Sequence, residues 1–347
     1  MPRFKKRNLA VVLWVVGTFL AIYYNQLIHF CVVVLASFVY IVLTQDRILY
    51  AEARRQTRQY KKNPKMLRSP AEWQIPFERL SLVTKDKVNI CAWFLTQSDL
   101  DIQRRVPTIL CMHGNTTNIG QGLPLWAGLY QKLRVNLLLL EYRGYGESEG
   151  EPSEEGLLMD AIAALEYLNE TELIDRKQIF VFGLSLGGAV ATALCAKPAA
   201  APHIRGLILE NTFLSVSSMA SRVFLPLRFI PESILRHFMR SRWMTCEAIL
   251  RVKVPILMLC GKYDNLVGHD QMKSLFKLAR QRKGIARRRI DEDEKIGTNS
   301  AALSMLSQGS TTDESEWMTL FDAGHADLFL KHPSKYFGAI GKFLNRV

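Results

Sequence analysis

A serine between two glycines is the part of the chain best suited to chemistry. Residues 179–188 read Ile-Phe-Val-Phe-Gly-Leu-Ser-Leu-Gly-Gly, so that Ser185 follows an apolar run and stands between Gly183 and Gly187. A Gly-x-Ser-x-Gly sequence between a strand and a helix forms a nucleophile elbow, a turn so tight that side chains two residues either side would collide. The stretch predicts a nucleophilic Ser185, although a serine that only caps a helix would fit the pentapeptide alone.

A serine hydroxyl is a weak nucleophile and needs a base, which in turn needs an acid to orient it. Asp264 and His325 each follow a short apolar run typical of a buried strand, in the chain order serine, acid, histidine. Asp322 and Asp327 are alternative acids, but both lie on the same loop as the histidine. We therefore predict a catalytic triad of Ser185, Asp264 and His325.

Attack on a carbonyl produces an oxyanion, which two backbone N–H groups must stabilise. One donor is expected from Leu186, the first residue of the helix after the serine. The other is expected from Asn115 in the loop His113-Gly114-Asn115, where His113 is interpreted as a residue that braces the loop. The six cysteines form no Cys-x-x-Cys pair, so we expect no disulfide, no metal site and no cofactor.

The elements that position these residues alternate between short apolar runs and helical segments. Such alternation predicts a mostly parallel sheet with helices on both faces, with an antiparallel edge at its beginning. The predicted strands are 80–84, 88–95, 107–112, 136–141, 179–182, 204–209, 254–260 and 318–321. Residues 215–250 are expected to form a small helical cap on the catalytic side. The polar residues 281–316 have the composition of a disordered insertion, entering at the end of the last strand remote from the site.

An apolar segment precedes this predicted domain. No charge falls between Leu9 and Leu43, and one helix of that length would measure about 50 Å, against a hydrocarbon core of roughly 30 Å. The segment is therefore either one long tilted membrane anchor or two short spans that meet at Asn25 and Gln26. The predicted organisation is a basic N-terminus (1–8), the anchor (9–43), a basic linker (44–70) and the catalytic domain (71–347).

The net charge of +13 is concentrated around that anchor. Residues 1–70 carry a net charge of +10, and basic clusters lie on both sides of the apolar segment. Such clusters favour the anionic cytoplasmic face of a lipid bilayer, and this position favours a lipid partner over nucleic acid. We expect a membrane location with a cytosolic catalytic face; the orientation and the oligomeric state stay open.

Several motifs together resemble the family of α/β-hydrolase domain-containing protein 13. They are His113-Gly114-Asn115, Asn118-Ile119-Gly120, 135–139, 142–150, 185–191 and 210–215. The resemblance implies an α/β-hydrolase fold with an N-terminal membrane anchor. It also implies a serine hydrolase acting on acyl esters or thioesters, with protein-linked palmitate or lipids as candidate substrates. The chain departs from the family at Leu184, where arginine is usual, at Glu141, where aspartate is usual, and in the insertion.

Two classes of function remain open at this point. The first is a membrane-anchored serine hydrolase that works through an acyl-enzyme. The second is a catalytically silent scaffold with the same fold, because a fold does not determine a function. A complete set of triad and oxyanion residues favours the enzyme.

Overall fold

A computed structural model describes residues 3–51, 55, 63–223, 225–295, 315–320 and 322–347. The chain divides into two compact units, one ending at Ile48 and the other spanning Leu49–Val347. The second unit begins earlier than the predicted boundary at residue 71. Tyr50 and Asn63 are the reason, since both are almost fully buried within it. The described residues of the predicted linker from Leu49 onward therefore belong to the globular unit.

The first unit is a single helix, α1 (Arg3–Leu49), which is 47 residues long. It passes through Asn25 and Gln26 without a break, so the predicted alternative of two spans is not found. Residues Trp14–Ser37 are long and apolar enough to cross a membrane, by length and composition. Thr18 and His29 bond to backbone carbonyls one turn earlier in the helix. These hydrogen bonds satisfy polar side chains whose transfer into hydrocarbon would otherwise cost free energy.

The second unit is built on an eight-stranded sheet in the order β1-β2-β4-β3-β5-β6-β7-β8. The strands are β1 (Phe77–Val83), β2 (Asn89–Leu95), β3 (Thr108–Met112), β4 (Asn136–Leu140), β5 (Ile179–Leu184), β6 (Gly206–Glu210), β7 (Ile256–Gly261) and β8 (Ser315–Leu320). Strand β2 runs antiparallel to β1 and to β4, and every other neighbouring pair is parallel. The predicted parallel sheet with an antiparallel edge is confirmed.

Helices cover both faces of this sheet, which explains why its central strands are continuous apolar runs. The main helices are α2 (Leu100–Gln103), α3 (Leu123–Leu133), α4 (Glu154–Glu170), α5 (Leu186–Cys195), α9 (His269–Lys295), α10 (Leu328–Lys331) and α11 (Pro333–Arg346). One apolar core joins α4, α5 and the beginning of α9 to the sheet. A second core on the opposite face joins α3 and α11.

The cap lies between β6 and β7 and consists of short helices. They are α6 (Val216–Val223), a 3-10 turn (Leu225–Phe229), α7 (Glu232–Phe238), α8 (Thr245–Ala248) and a 3-10 turn (Ile249–Arg251). The Glu232 carboxylate accepts hydrogen bonds from the hydroxyls of Ser215 and Ser217, at 2.6 and 2.8 Å. These bonds tie the start of α7 to the start of α6.

Helix α9 extends into the segment that the sequence analysis assigns to a disordered insertion. It continues through residues 281–295 of that segment. Arginines 287–289 are followed four residues later by acidic side chains, a spacing that favours a helix. Strand β8 begins at Ser315, and residues 296–314 of the predicted insertion lie outside the described residues.

Candidate active site

Ser185 occupies a strained turn between β5 and α5. Its φ and ψ angles are 54° and −116°, a combination that a residue with a side chain rarely adopts. The Ser185 N–H donates to the Glu210 carbonyl at 2.9 Å, and the Thr212 hydroxyl donates to the Ser185 carbonyl at 2.8 Å. The strand and loop next to the turn therefore hold this serine in its strained conformation.

The two glycines of the elbow allow three backbone segments to approach closely. A Cβ atom at Gly183 would lie 2.2 Å from the Gly187 carbonyl oxygen, and one at Gly187 would lie 2.1 Å from the Met112 carbonyl oxygen. Both distances are too short for any side chain. The start of α5 thus packs on the end of β3, and the two glycines are needed at the positions where the sequence pattern places them.

The acid and the base of the predicted triad are in direct contact. His325 Nδ1 lies 2.8 Å from Asp264 Oδ2, while Asp264 Oδ1 accepts the backbone N–H groups of Leu266 and Val267 at 2.9 and 3.0 Å. Burial raises the pKa of Asp264, but the hydrogen bonds and the charge of His325 outweigh it and keep this pKa below its usual value. An ionised Asp264 favours the tautomer with a proton on Nδ1, leaving Nε2 to act as the base.

No hydrogen bond joins the Ser185 hydroxyl to His325 or to any other of the described residues. Such a bond is often long in a free enzyme and tightens when substrate binds. The structure therefore brings together the acid and base, and holds the serine at the same edge of the sheet.

Asn211 links the loops that carry Ser185 and His325. It directly follows Glu210, whose carbonyl accepts the Ser185 N–H. Its Nδ2 donates to the carbonyls of Gly324 and His325 at 3.1 and 2.8 Å, and its Oδ1 accepts the Gly261 N–H at 2.9 Å. Sequence analysis quoted Asn211 within a motif but assigned it no role. The signal available in the sequence was an asparagine just after a predicted strand. In the structure its φ is 43°, a conformation that asparagine tolerates.

The two predicted oxyanion donors belong to the residue after the serine and to the loop after β3. A Cβ atom at Gly114 would be 3.6 Å from the Ser185 Cβ, so the loop after β3 runs beside the nucleophile. Among the described residues, no acceptor is bonded to the backbone N–H of Leu186 or of Asn115. Both groups are therefore available to an incoming oxygen.

The Asn115 side chain braces the loop and leaves its backbone available. Its Nδ2 donates to the Leu49 carbonyl at 2.8 Å, and its Oδ1 accepts the Tyr145 hydroxyl at 2.5 Å. Sequence analysis missed Leu49, because a backbone carbonyl at the end of a helix has no sequence signature. Tyr145 lies in the loop after β4, within the motif 142–150 that carries part of the family resemblance.

His113 and Glu141 form a buried pair behind this loop. The His113 Nδ1 lies 2.8 Å from the Gly114 carbonyl, and its Nε2 lies 3.0 Å from Glu141 Oε1, although not in hydrogen-bond alignment. The other carboxylate oxygen of Glu141 accepts the Ile119 N–H at 3.2 Å. His113 thus supports the loop, as interpreted from the sequence. Glu141 is fully buried, so its departure from the family affects loop support more than the pocket wall.

A second buried carboxyl group, Glu210, lies close behind the site. Its side chain is hydrogen-bonded by the Tyr336 hydroxyl. Burial raises its pKa to about 8, assisted by the negative charges of Asp327 and Asp264 and opposed by the Tyr336 bond. Glu210 therefore carries a proton at neutral pH.

The described residues contain no group of three or more His, Cys, Asp or Glu side chains that could hold a metal ion. All six cysteines are free, and Cys91, Cys111, Cys195 and Cys260 are buried. The expectation that the reaction needs no cofactor stays a prediction.

Comparisons with known proteins add a family context to this geometry. A model of the α/β-hydrolase fold matches residues 107–242. Protein bem46 of Schizosaccharomyces pombe is 39% identical over 236 residues, covering 68% of this chain and 75% of bem46. The α/β hydrolase domain-containing protein WAV2 of Arabidopsis thaliana is 40% identical over 222 residues, covering 62% of this chain and 70% of WAV2.

Two further similarities concern the membrane and the fold. An uncharacterized membrane protein of Saccharomyces cerevisiae is 30% identical over 210 residues, covering 60% of this chain and 70% of that protein. The solved structure of the Pyrococcus furiosus esterase Pf2001 matches with a TM-score of 0.58 at 18% identity, over 80% of this chain and 93% of the esterase. At that identity the likeness shows the fold alone.

Proposed function

Because this chain belongs to the family of α/β-hydrolase domain-containing proteins that includes bem46 and WAV2, we propose that it is a membrane-anchored serine hydrolase. Its substrates are acyl esters or thioesters, with palmitoylated proteins and lipids as the candidate classes. The observation that carries the proposal is the contact of 2.8 Å between His325 and Asp264, beside a serine held in a strained elbow.

The reaction follows from the role of each group. Ser185 Oγ attacks the acyl carbon while His325 Nε2 takes its proton, and the N–H groups of Leu186 and Asn115 stabilise the oxyanion. The tetrahedral intermediate then expels an alcohol or thiol, which takes the proton from His325. Water attacks the acyl-enzyme by the same steps and releases a carboxylic acid and free Ser185.

An acyl substrate at a membrane is favoured by the apolar helix α1. Its Trp14–Ser37 segment has the length and composition of a membrane span. A tethered enzyme meets membrane-bound acyl groups at a high effective concentration without any added contact. The Pyrococcus furiosus protein Pf2001, whose structure has the same fold, is described as an esterase.

Labelling with a fluorophosphonate probe tests the proposal, because such probes react only with an activated serine. We expect the full-length protein to be labelled, and Ser185→Ala to abolish labelling while keeping the thermal unfolding midpoint. Ser218→Ala is a matched control, because it changes a serine of the cap. Absence of labelling in a folded wild-type protein would favour the scaffold.

Substrate class is tested separately with acyl chains of increasing length. Hydrolysis of nitrophenyl esters and of a palmitoylated cysteine peptide is compared in vesicles. We expect the thioester to be cleaved and Ser185→Ala to be inactive on both. Cleavage of short esters alone would remove the palmitoyl part of the proposal and keep the hydrolase.

A further inference from the structure

Exposed apolar side chains are concentrated on the cap. Large apolar residues with substantial exposure lie close together in its sequence: Val223 (55%), Phe229 (83%), Ile230 (37%), Ile234 (49%) and Phe238 (47%). Among the described residues of the Leu49–Val347 unit, Phe229 and Phe238 are the only exposed phenylalanines. A concentration of this kind marks an interaction surface, whereas single exposed apolar residues need no explanation.

Two of these five residues lie on helix α7. Leu235 is buried, while Ile234 and Phe238, one helical turn apart, are exposed on α7. The bonds from Ser215 and Ser217 to Glu232 hold the beginning of the same helix. Helix α7 therefore turns Leu235 inward while Ile234 and Phe238 stay exposed.

The same segment is basic. Residues 216–242 contain five arginines and one glutamate, and that glutamate is Glu232, bonded inside the cap. Residues 71–347 as a whole carry a net charge of only +3. The cap segment thus carries a net charge of +4, with five arginines spread among its exposed apolar residues. Arginines around exposed phenylalanine and isoleucine are typical of helices that lie in the interface of an anionic membrane.

We propose that the cap face, formed by Val223, Phe229, Ile230, Ile234 and Phe238, docks on the surface of an anionic lipid bilayer. The membrane-spanning length of α1 keeps the unit within reach of a bilayer, so even weak docking is populated. A second copy of the chain is disfavoured as the occupant, because two cap faces would bring like charges together. The proposal rests on the membrane anchoring in the proposed function.

Docking would bring the catalytic edge close to lipid. Arg222, next to Val223, pairs with Asp270 at 3.3 Å and packs over Gly268, on the loop that follows Asp264. Tyr263 and Leu266, which flank Asp264, are also exposed. An acyl group leaving the bilayer beside the cap would therefore enter near the site.

Quenching by brominated lipids tests the docking directly. A tryptophan is introduced in the full-length protein by Phe229→Trp, and the matched control is Leu100→Trp, at an exposed apolar residue outside the cap. Both are reconstituted in brominated phosphatidylcholine vesicles with and without phosphatidylserine. We expect the added fluorescence of Phe229→Trp to be quenched in vesicles that contain phosphatidylserine. The quenching should be weaker without phosphatidylserine or in high salt. The added fluorescence of Leu100→Trp should stay unquenched.

Other outcomes overturn the docking and are distinguishable from a failure of the proposed function. Native Trp14, in the apolar part of α1, reports membrane insertion, because Trp14→Phe should remove part of the quenching in the wild type. Insertion without quenching at 229, or equal quenching at 229 and 100, would refute docking. If the tryptophan of Phe229→Trp became buried as the protein density in the vesicles rose, whatever the lipid, the occupant of the cap face would be a second copy instead. Fluorophosphonate labelling of Phe229→Ser/Phe238→Ser in detergent should match the wild type, which separates docking from catalysis.

Discussion

Asn211 shows how single residues hold the candidate site together. Three of its side-chain hydrogen bonds reach two segments, the last residue of β7 and the loop carrying His325. Its neighbour Glu210 binds the backbone of Ser185. These contacts come from adjacent residues, so one dipeptide is bonded both to the nucleophile's backbone and to the loop of the base. The nucleophile and the base therefore depend on a dipeptide that takes no part in the proposed chemistry.

Substitution of each triad residue should abolish turnover and keep the fold. Ser185→Ala, Asp264→Asn and His325→Ala should each lower kcat by about a thousandfold or more. The three groups act as a unit, so Ser185→Ala/His325→Ala should be no worse than either single change. Steady-state kinetics with a soluble ester, alongside circular dichroism, provide the measurement. A double variant far less active than both singles would contradict the triad assignment.

Glu210 should give the protein a characteristic dependence of stability on pH. Its native pKa of about 8 lies above the ordinary value of 4.5, so the native state keeps a proton that the unfolded state releases. Its contribution to the free energy of unfolding is therefore fully present below about pH 4.5. This contribution of Glu210 falls by about 1.4 kcal/mol for each pH unit as the pH rises toward 8.

Thermal unfolding in detergent across this pH range, compared with Glu210→Gln, measures the effect. The variant should lose less stability than the wild type as the pH rises. Glu166→Gln, at an exposed helical position, is the matched control and should follow the wild type. Parallel curves for the wild type and Glu210→Gln would show that Glu210 is ionised in the native state at neutral pH.

At the scale of elements, the sequence predicted those helices and strands whose formation depends on residues close together in the chain. Buried strands such as β3 and β4 are continuous apolar runs, and α4 begins after Ser153, whose hydroxyl accepts the Gly156 N–H. The family resemblance is confirmed at the level of α/β-hydrolase domain-containing proteins. Contacts between residues distant in sequence were not predictable. The bond of Asn63 to Asn118 is one example, since asparagine has no preferred long-range partner.

Tyr50 is the clearest case of an element boundary set by distant contacts. Its hydroxyl accepts the Trp243 Nε1–H at 2.8 Å and donates to Ser241 Oγ at 3.3 Å, within the buried interior. Tyr50→Phe leaves the Trp243 donor without this partner, so we expect a loss of about 1–3 kcal/mol of unfolding free energy. Tyr130→Phe, whose hydroxyl donates to the Thr96 carbonyl in a half-buried place, should cost less in the same denaturation experiment. Equal losses would show that the Tyr50 contact is not a stabilising one.

The segment between α9 and β8 should be dispensable for catalysis. It joins the N-terminal end of a parallel strand, whereas the site lies at the C-terminal ends. Replacement of residues 296–314 by a short Gly-Ser linker should therefore keep most ester hydrolysis. Deletion of the whole predicted insertion, residues 281–316, would also remove described parts of α9 and β8 and should unfold the protein. A large loss of kcat at an unchanged melting temperature would mean that residues 296–314 reach the site.

At the scale of the whole molecule, the boundary at Leu49 changes what removal of the anchor should do. The Leu49 carbonyl binds the Asn115 side chain, and Tyr50 and Asn63 are buried in the hydrolase unit. A protein that lacks residues 1–70 would lose all three contacts together with the membrane helix. A protein that lacks residues 1–47 would lose the apolar helix and keep them.

Comparison of these two truncations with the full-length protein separates tethering from support of the site. Removal of residues 1–47 should release the protein from vesicles and leave hydrolysis of a soluble nitrophenyl butyrate nearly unchanged. Hydrolysis of a long-chain thioester in the vesicles should fall, since the local substrate concentration is lost while the site stays intact. Removal of residues 1–70 should lower both activities, because the Asn115 loop loses its support. The decisive measurement is the ratio of the two activities in each protein, and an unchanged ratio after removal of residues 1–47 would mean that the helix serves location alone.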